Sequence, residues 1–221
     1  MSEYHLRIGV LQWAVELARI DICTEVSIMT ANVASPWKGH IEAVYHIFAY
    51  MKRHDRSMLV FDAGRPNNVE QSLLDLTDFY KDVKEQILKD TLEPLGKSVK
   101  MAVYIDSDHA RDKLTRRSCT GVLIFLNRSP ILWYSKKESS IETSSFGSEF
   151  SAMKMGTEFI EGLRYKLIMM GVPIDGPCHV KADNLSVVRN SRQQSAQVHP
   201  QEEIKFNCFP QCVGARGGMN Y

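Results

Sequence analysis

Residues 100–126 read KMAVYIDSDHARDKLTRRSCTGVLIFL. The stretch opens as a strand. Met101, Val103 and Ile105 alternate with Ala102, Tyr104 and Asp106, the two-residue period of a half-buried β-strand. Two carboxylates, Asp106 and Asp108, close it. A basic loop follows with Arg111, Lys113, Arg116 and Arg117, and residues 121–126 form a second apolar run. Acids at a strand end beside a basic loop suggest a metal site that handles phosphates, provided other parts of the chain supply partners.

The surrounding composition permits such a site without announcing it. The chain has 221 residues, 44% hydrophobic and 24% charged, enough to bury a core. Its 27 basic and 26 acidic residues leave a formal net charge of +1, so nucleic-acid binding requires a local basic patch. The five cysteines form no regular disulfide framework. The first residues lack the apolar core of a signal peptide, and no run approaches the roughly 20 apolar residues of a membrane span. The expectation is an intracellular, reducing location, with no membrane partner.

Upstream, residues 4–55 read as helical. Ile8, Leu11, Val15 and Ala18 keep helical spacing, as do Ile41, Val44, Phe48 and Met51 after Pro36. Residues 58–61 suggest a short strand. Residues 63–98 read as a connector carrying some helix, ended by Pro94 and Gly96. From 99 onward strands are predicted over 99–106, 118–126 and 130–135, with Asn127-Arg128-Ser129 as a tight hairpin link. A long helix over 145–170 follows. Glu149, Met153, Gly156, Ile160, Leu163 and Leu167 fall on one face of it, a stripe that is apolar except for the glutamate. A strand over 177–182 and a helix over 185–190 complete a mixed sheet with helices against it.

Three acids stand out by position. Asp106 and Asp183 sit at strand ends, and Glu149 lies on the core-facing stripe. A lone carboxylate there is costly unless paired, protonated or bound to metal. Oxygen-only ligands suit Mg2+ or Mn2+, and two such ions promote phosphodiester hydrolysis. Each acid also has a plainer explanation. Asp183, taken alone, reads best as a helix N-cap, Glu149 as an anion near a helix start, and Asp108 as a turn residue. Trp133 and Tyr134 fall on opposite strand faces, so at most one is expected to face the core, and Trp133 reads as core rather than as a base-stacking platform.

Residues 101–191 resemble the ribonuclease H domain of copia-type retrotransposon Pol polyproteins. The matching pieces come in order: Tyr104-x-Asp106-x-Asp108-x-Ala110; Thr115-Arg116-Arg117-Ser118-x-Thr120-Gly121; Ser129-Pro130-Ile131-x-Trp133-x-Ser135-Lys136-Lys137; Ser144-Ser145-x-x-Ser148-Glu149-Phe150; and Asp183-Asn184-x-Ser186-Val187. Residues 1–62 resemble the end of the preceding reverse transcriptase, through Ile8-Gly9-Val10-Leu11, Arg19-Ile20-Asp21-Ile22 and Lys52-Arg53. The resemblance implies an α/β, ribonuclease H-like mixed sheet with flanking helices, preceded by a small helical segment. It implies that Asp106, Glu149 and Asp183 are three of the family's four metal-binding acids, with Asp108 a weaker candidate. Gly147 stands where many members carry an extra glutamate that is not expected to bind metal. The implied cofactor is Mg2+ or Mn2+, and the implied partner an RNA–DNA hybrid, with other Pol or Gag components as further partners. Arg116, Arg117, Lys136 and Lys137 are the candidates for neutralising its phosphates. Their plainer reading is a solvated loop and a strand end.

Two departures limit the resemblance. The polymerase core, with its paired aspartates, does not appear in residues 1–62. No aspartate follows Asp183, so the family's fourth acid is missing and the domain over 99–194 is incomplete. Residues 195–221 have no clear periodicity. Cys208 and Cys212 with His199 make only a weak zinc signal. Reading Gln201-Glu202-Glu203-Ile204 one base later forces three successive Lys or Arg codons, which suggests an out-of-frame tail. Two functions follow: a metal-dependent ribonuclease acting on hybrids, or a catalytically inactive remnant that retains nucleic-acid or protein binding.

Overall fold

In the computed structural model, residues 3–65, 91–192 and 213–215 are described. The helix expected within 67–98 and the cysteine and frame readings of the tail fall almost wholly outside them. The fold is α/β, a mixed sheet of order β3-β2-β1-β4-β5 with helices on both faces. Its strands are β1 (Met101–Asp108), β2 (Cys119–Leu126), β3 (Ser129–Lys137), β4 (His179–Ala182) and β5 (Val213–Ala215). The helices are α1 (Glu3–Glu16), α2 (Cys23–Thr30), α3 (Lys38–Arg53), α4 (Ser145–Met169) and α5 (Leu185–Arg192). No described helix is long and apolar enough to cross a membrane.

The first three strands form an antiparallel meander, and β4 joins β1 in parallel after the α4 crossover. Asn127 adopts φ +55° in the two-residue β2–β3 turn, a conformation asparagine tolerates. The tail supplies β5, which pairs in parallel with β4. Residues 58–61, expected as a strand, instead run as largely exposed irregular chain, and among the described residues no strand pairs with them. The next residues are clasped by the hairpin: Ser129 Oγ donates to the Asp62 carbonyl and Asn127 Nδ2 to that of Ala63.

Strand alternation gives each sheet face its own cover. Ile105, Val122 and Tyr134 form one row across the sheet toward α4, where the Tyr134 ring lies 4.9 Å from that of Phe159. Tyr104, Leu123 and Trp133 form a row on the other face, toward the N-terminal helices. There Trp133 packs against the cluster of Tyr4, Ile8, Leu11, Val15 and Val26 and donates its indole N–H to the Val15 carbonyl at 3.0 Å. The sheet thus has a core on each face. The expectation that at most one of Trp133 and Tyr134 faces a core is corrected: each faces a different one.

Helix α4 lies very close to β1. A Cβ built on Gly156 would stand 2.8 Å from Ile105 Cγ1 and closer still to Cδ1. The missing side chain is what lets α4 settle onto the strand. Ser144 caps the helix, its Oγ accepting from the Gly147 N–H. The described stripe buries Glu149, Met153, Gly156 and Ile160, while Leu163 and Leu167 are half-buried.

Candidate metal centre

The three acids singled out by position meet at the carboxyl-terminal ends of β1 and β4. One oxygen from each of Asp106, Glu149 and Asp183 lies within 4.8 Å of those of the other two. Each arrives from a different element. Asp106 sits on β1, which continues two residues farther than expected because Ser107 and Asp108 still pair with Thr120 and Cys119. Glu149 comes from the second turn of α4. Asp183 follows β4. It is not the N-cap of α5, as its plainer reading held: Asn184 takes that role, with Oδ1 accepting from the N–H groups of Ser186 and Val187 at 3.0 and 3.3 Å. The cap on its neighbour leaves the Asp183 carboxylate for the cluster.

The electrostatics of the cluster are those of crowded, partly dehydrated anions. Glu149 is only 8% exposed. Burial pushes its carboxyl up to about 7, with Asp183 and Asp106 adding repulsion. Desolvation also raises Asp106, assisted by Asp183 and Asp108, while the Ser107 N–H, 2.8 Å from Oδ1, acts in the opposite sense. Oε2 of Glu149 is buried without a hydrogen-bond partner, and among the described residues no lysine or arginine pairs with any of the three acids. An all-oxygen donor set that lacks a cation fits a hard divalent ion such as Mg2+ or Mn2+.

Asp108 stands outside this cluster. It is half exposed and ion-paired with Arg111 at 2.7 Å. The four basic candidates do not form a single patch. Lys137 Nζ binds Asp112 at 3.0 Å, and the Thr115 hydroxyl and Lys137 together hold the Asp112 carboxyl well below the usual range. Lys136 is exposed and points to the opposite strand face. Arg116 is exposed at φ +58°, and Arg117 is half-buried with its Nε shielded and unpartnered.

Glu138 is a site neighbour that the sequence reading missed. It is 5% exposed, accepts from the Thr120 hydroxyl at 2.7 Å, and adds to the upward push on Glu149. The signal was strand parity. Continuing β3 by one residue beyond Lys137 places position 138 on the same strand face as Tyr134, the face that α4 covers.

The chain is 24% identical over 184 residues to the retrovirus-related Pol polyprotein from transposon RE1 of Arabidopsis thaliana, covering 83% of this chain and 10% of that protein. It is 27% identical over 158 residues to the corresponding polyprotein from transposon TNT 1-94 of Nicotiana tabacum, covering 71% of this chain and 9% of that protein. It is also 21% identical over 155 residues to the secreted RxLR effector protein 161 of Plasmopara viticola, covering 70% of this chain and 87% of that one. No family model matches, and no solved structure matches. The chain spans about a tenth of the length of the two Pol polyproteins, and the matches support a fragment of the retrotransposon Pol type.

Proposed function

We propose that the chain is a ribonuclease H-type Pol fragment whose chemistry is metal-dependent hydrolysis of the RNA strand of an RNA–DNA hybrid. The observation that carries the reading is the convergence of Asp106, Glu149 and Asp183, with a buried, unpartnered glutamate oxygen among them. These three residues would hold Mg2+ or Mn2+. When bound, such an ion activates water and neutralises charge at the leaving oxygen.

The chain's own contribution is positional. Asp106 and Asp183 present carboxylates at the rim, where a phosphodiester has access. Glu149 reaches the same point from beneath, fixed by the close approach of α4 to β1. Exposed Arg116, in the loop before β2, and exposed Lys136, on β3, would supply positive charge for a polyanion. Other Pol or Gag components are further partners that this reading would accommodate.

A cleavage assay on a labelled RNA–DNA hybrid in Mg2+ tests the proposal. The parent chain should cleave the RNA strand, and Asp106→Asn should reduce the rate by about 100-fold or more, at least the scale seen when support for a metal site is removed. A parent chain that leaves the hybrid intact would point to the second reading, an inactive remnant that retains binding.

A further inference from the structure

A cavity of about 330 Å³ lies where the loop between β1 and β2 meets the N-terminal helices, and none of Asp106, Glu149 and Asp183 lines it. The volume falls within the ~300–1,000 Å³ of small-molecule sites. Four cations line it, Arg111, Lys113, Arg117 and Lys137, against one carboxylate, Asp112. Two of the four are neutralised within the chain. Arg111 pairs with Asp108 at 2.7 Å and Lys137 with Asp112 at 3.0 Å. The Asp112 carboxylate is fully engaged, since it also accepts from the Thr115 hydroxyl and from the N–H groups of Leu114 and Thr115. Among the described residues, Lys113 and Arg117 form no ion pair. The Arg117 Nε is shielded from water and meets no acceptor. A shielded donor on a charged group calls for an acceptor that the chain does not supply.

We propose that this cavity binds a small phosphate monoester, with Lys113 and Arg117 as its cationic partners. Two uncompensated charges match a dianion, and a phosphate monoester carries close to two negative charges at neutral pH. A guanidinium presents parallel donors that fit two oxygens of one phosphate, which a lysine alone does not. Ile28 and Ala31 on the α2 side and Leu114 on the loop side give an apolar wall to the organic group of the ester. The loop is braced without a ligand. The Asp112 N–H donates to the Arg117 carbonyl at 3.1 Å and the Arg116 N–H to the Asp112 carbonyl at 2.6 Å, which ties residues 112 and 117 together across the base of the turn. A braced loop lowers the ordering cost of binding. The inference stands apart from the metal centre and from the hydrolysis proposed for it.

Isothermal titration calorimetry of the full chain with phenyl phosphate, in EDTA, tests the site. One molecule should bind per chain. Lys113→Met and Arg117→Met should each weaken binding by at least about tenfold, the scale of one charge-assisted hydrogen bond. Lys113 lies exposed on the loop, so its variant covers the case in which Arg117→Met fails to fold. Ala31→Trp, at an exposed position on the helix side, should fill the cavity and abolish binding while every cation stays in place. Benzoate carries the same ring with a single charge and should bind at least about tenfold more weakly than phenyl phosphate. Phenyl phosphate that fails to bind, or that binds equally to the parent and the three variants, overturns the site. Benzoate binding as tight as that of phenyl phosphate overturns the choice of a dianion. An RNA–DNA hybrid that displaces phenyl phosphate overturns the small ligand and makes the cavity a contact for nucleic-acid backbone. The cleavage assay in Mg2+ decides none of these outcomes, so each proposal can fail without the other.

Discussion

At Glu149, burial and two neighbouring carboxylates act in the same direction. An acid whose folded pKa lies near 7, against 4.5 in the unfolded chain, keeps its proton longer in the native state. Its effect on stability is therefore absent below about pH 4.5. Destabilisation grows as the pH rises through the window between 4.5 and about 7, because the native state binds the extra proton there. The expected outcome is that Glu149→Gln stabilises the metal-free chain at pH 8, by about 1–3 kcal/mol, and has little effect at pH 4.5. Thermal denaturation at the two pH values checks it. Mg2+ should raise the Tm of the parent at pH 8 and leave that of the variant much less changed. The three acids were legible as a set because two strand ends and one polar interruption of an apolar stripe select them. The division of labour between Asp183 and Asn184 was not legible. Both can cap a helix, and only the turn geometry decides which one faces the amide groups.

Among the elements, α4 fixes how closely its acid approaches β1. Gly156→Ala places a methyl group in the space of the Ile105 side chain, an overpacking expected to cost ~1–3 kcal/mol. Ile105→Val removes the Cδ1 that such a methyl meets first, so the double variant should recover part of the loss. Denaturant unfolding of the two single variants and the double one measures the coupling. Periodicity made α4 and the three-strand meander readable, since each has one or two faces with a regular apolar pattern. Strand ends were less readable. Residues 107–108 and 136–137 are polar, yet they pair because the neighbouring strand continues alongside them. Residues 58–61 show the converse: an apolar run forms no strand where no strand among the described residues lies beside it.

For the whole molecule, the N-terminal helices and the sheet behave as two units joined along one seam. Trp133 lies on that seam, its ring against the helical cluster and its N–H on the Val15 carbonyl. Trp133→Phe keeps an aromatic ring and removes the donor, so it should cost about 0.5–1.5 kcal/mol. Amide exchange in α1 should quicken while exchange in β1 stays slow, a pattern that separates loosened docking from global unfolding. The seam escaped the sequence reading because alternation along β3 marks two faces but does not say that both are covered. The Trp133–Val15 bond also carries a kinetic consequence. It closes a loop of 118 residues, whereas the β2–β3 hairpin closes over a two-residue turn. Loop-closure entropy makes contacts as distant as the first late to form. The helical segment and the meander can each take shape from local contacts, and their docking becomes the last step of folding. Because Cys23 and Thr24 of α2 line the cavity that reaches Asp106 and Asp183, that cavity would come into existence only at the final step.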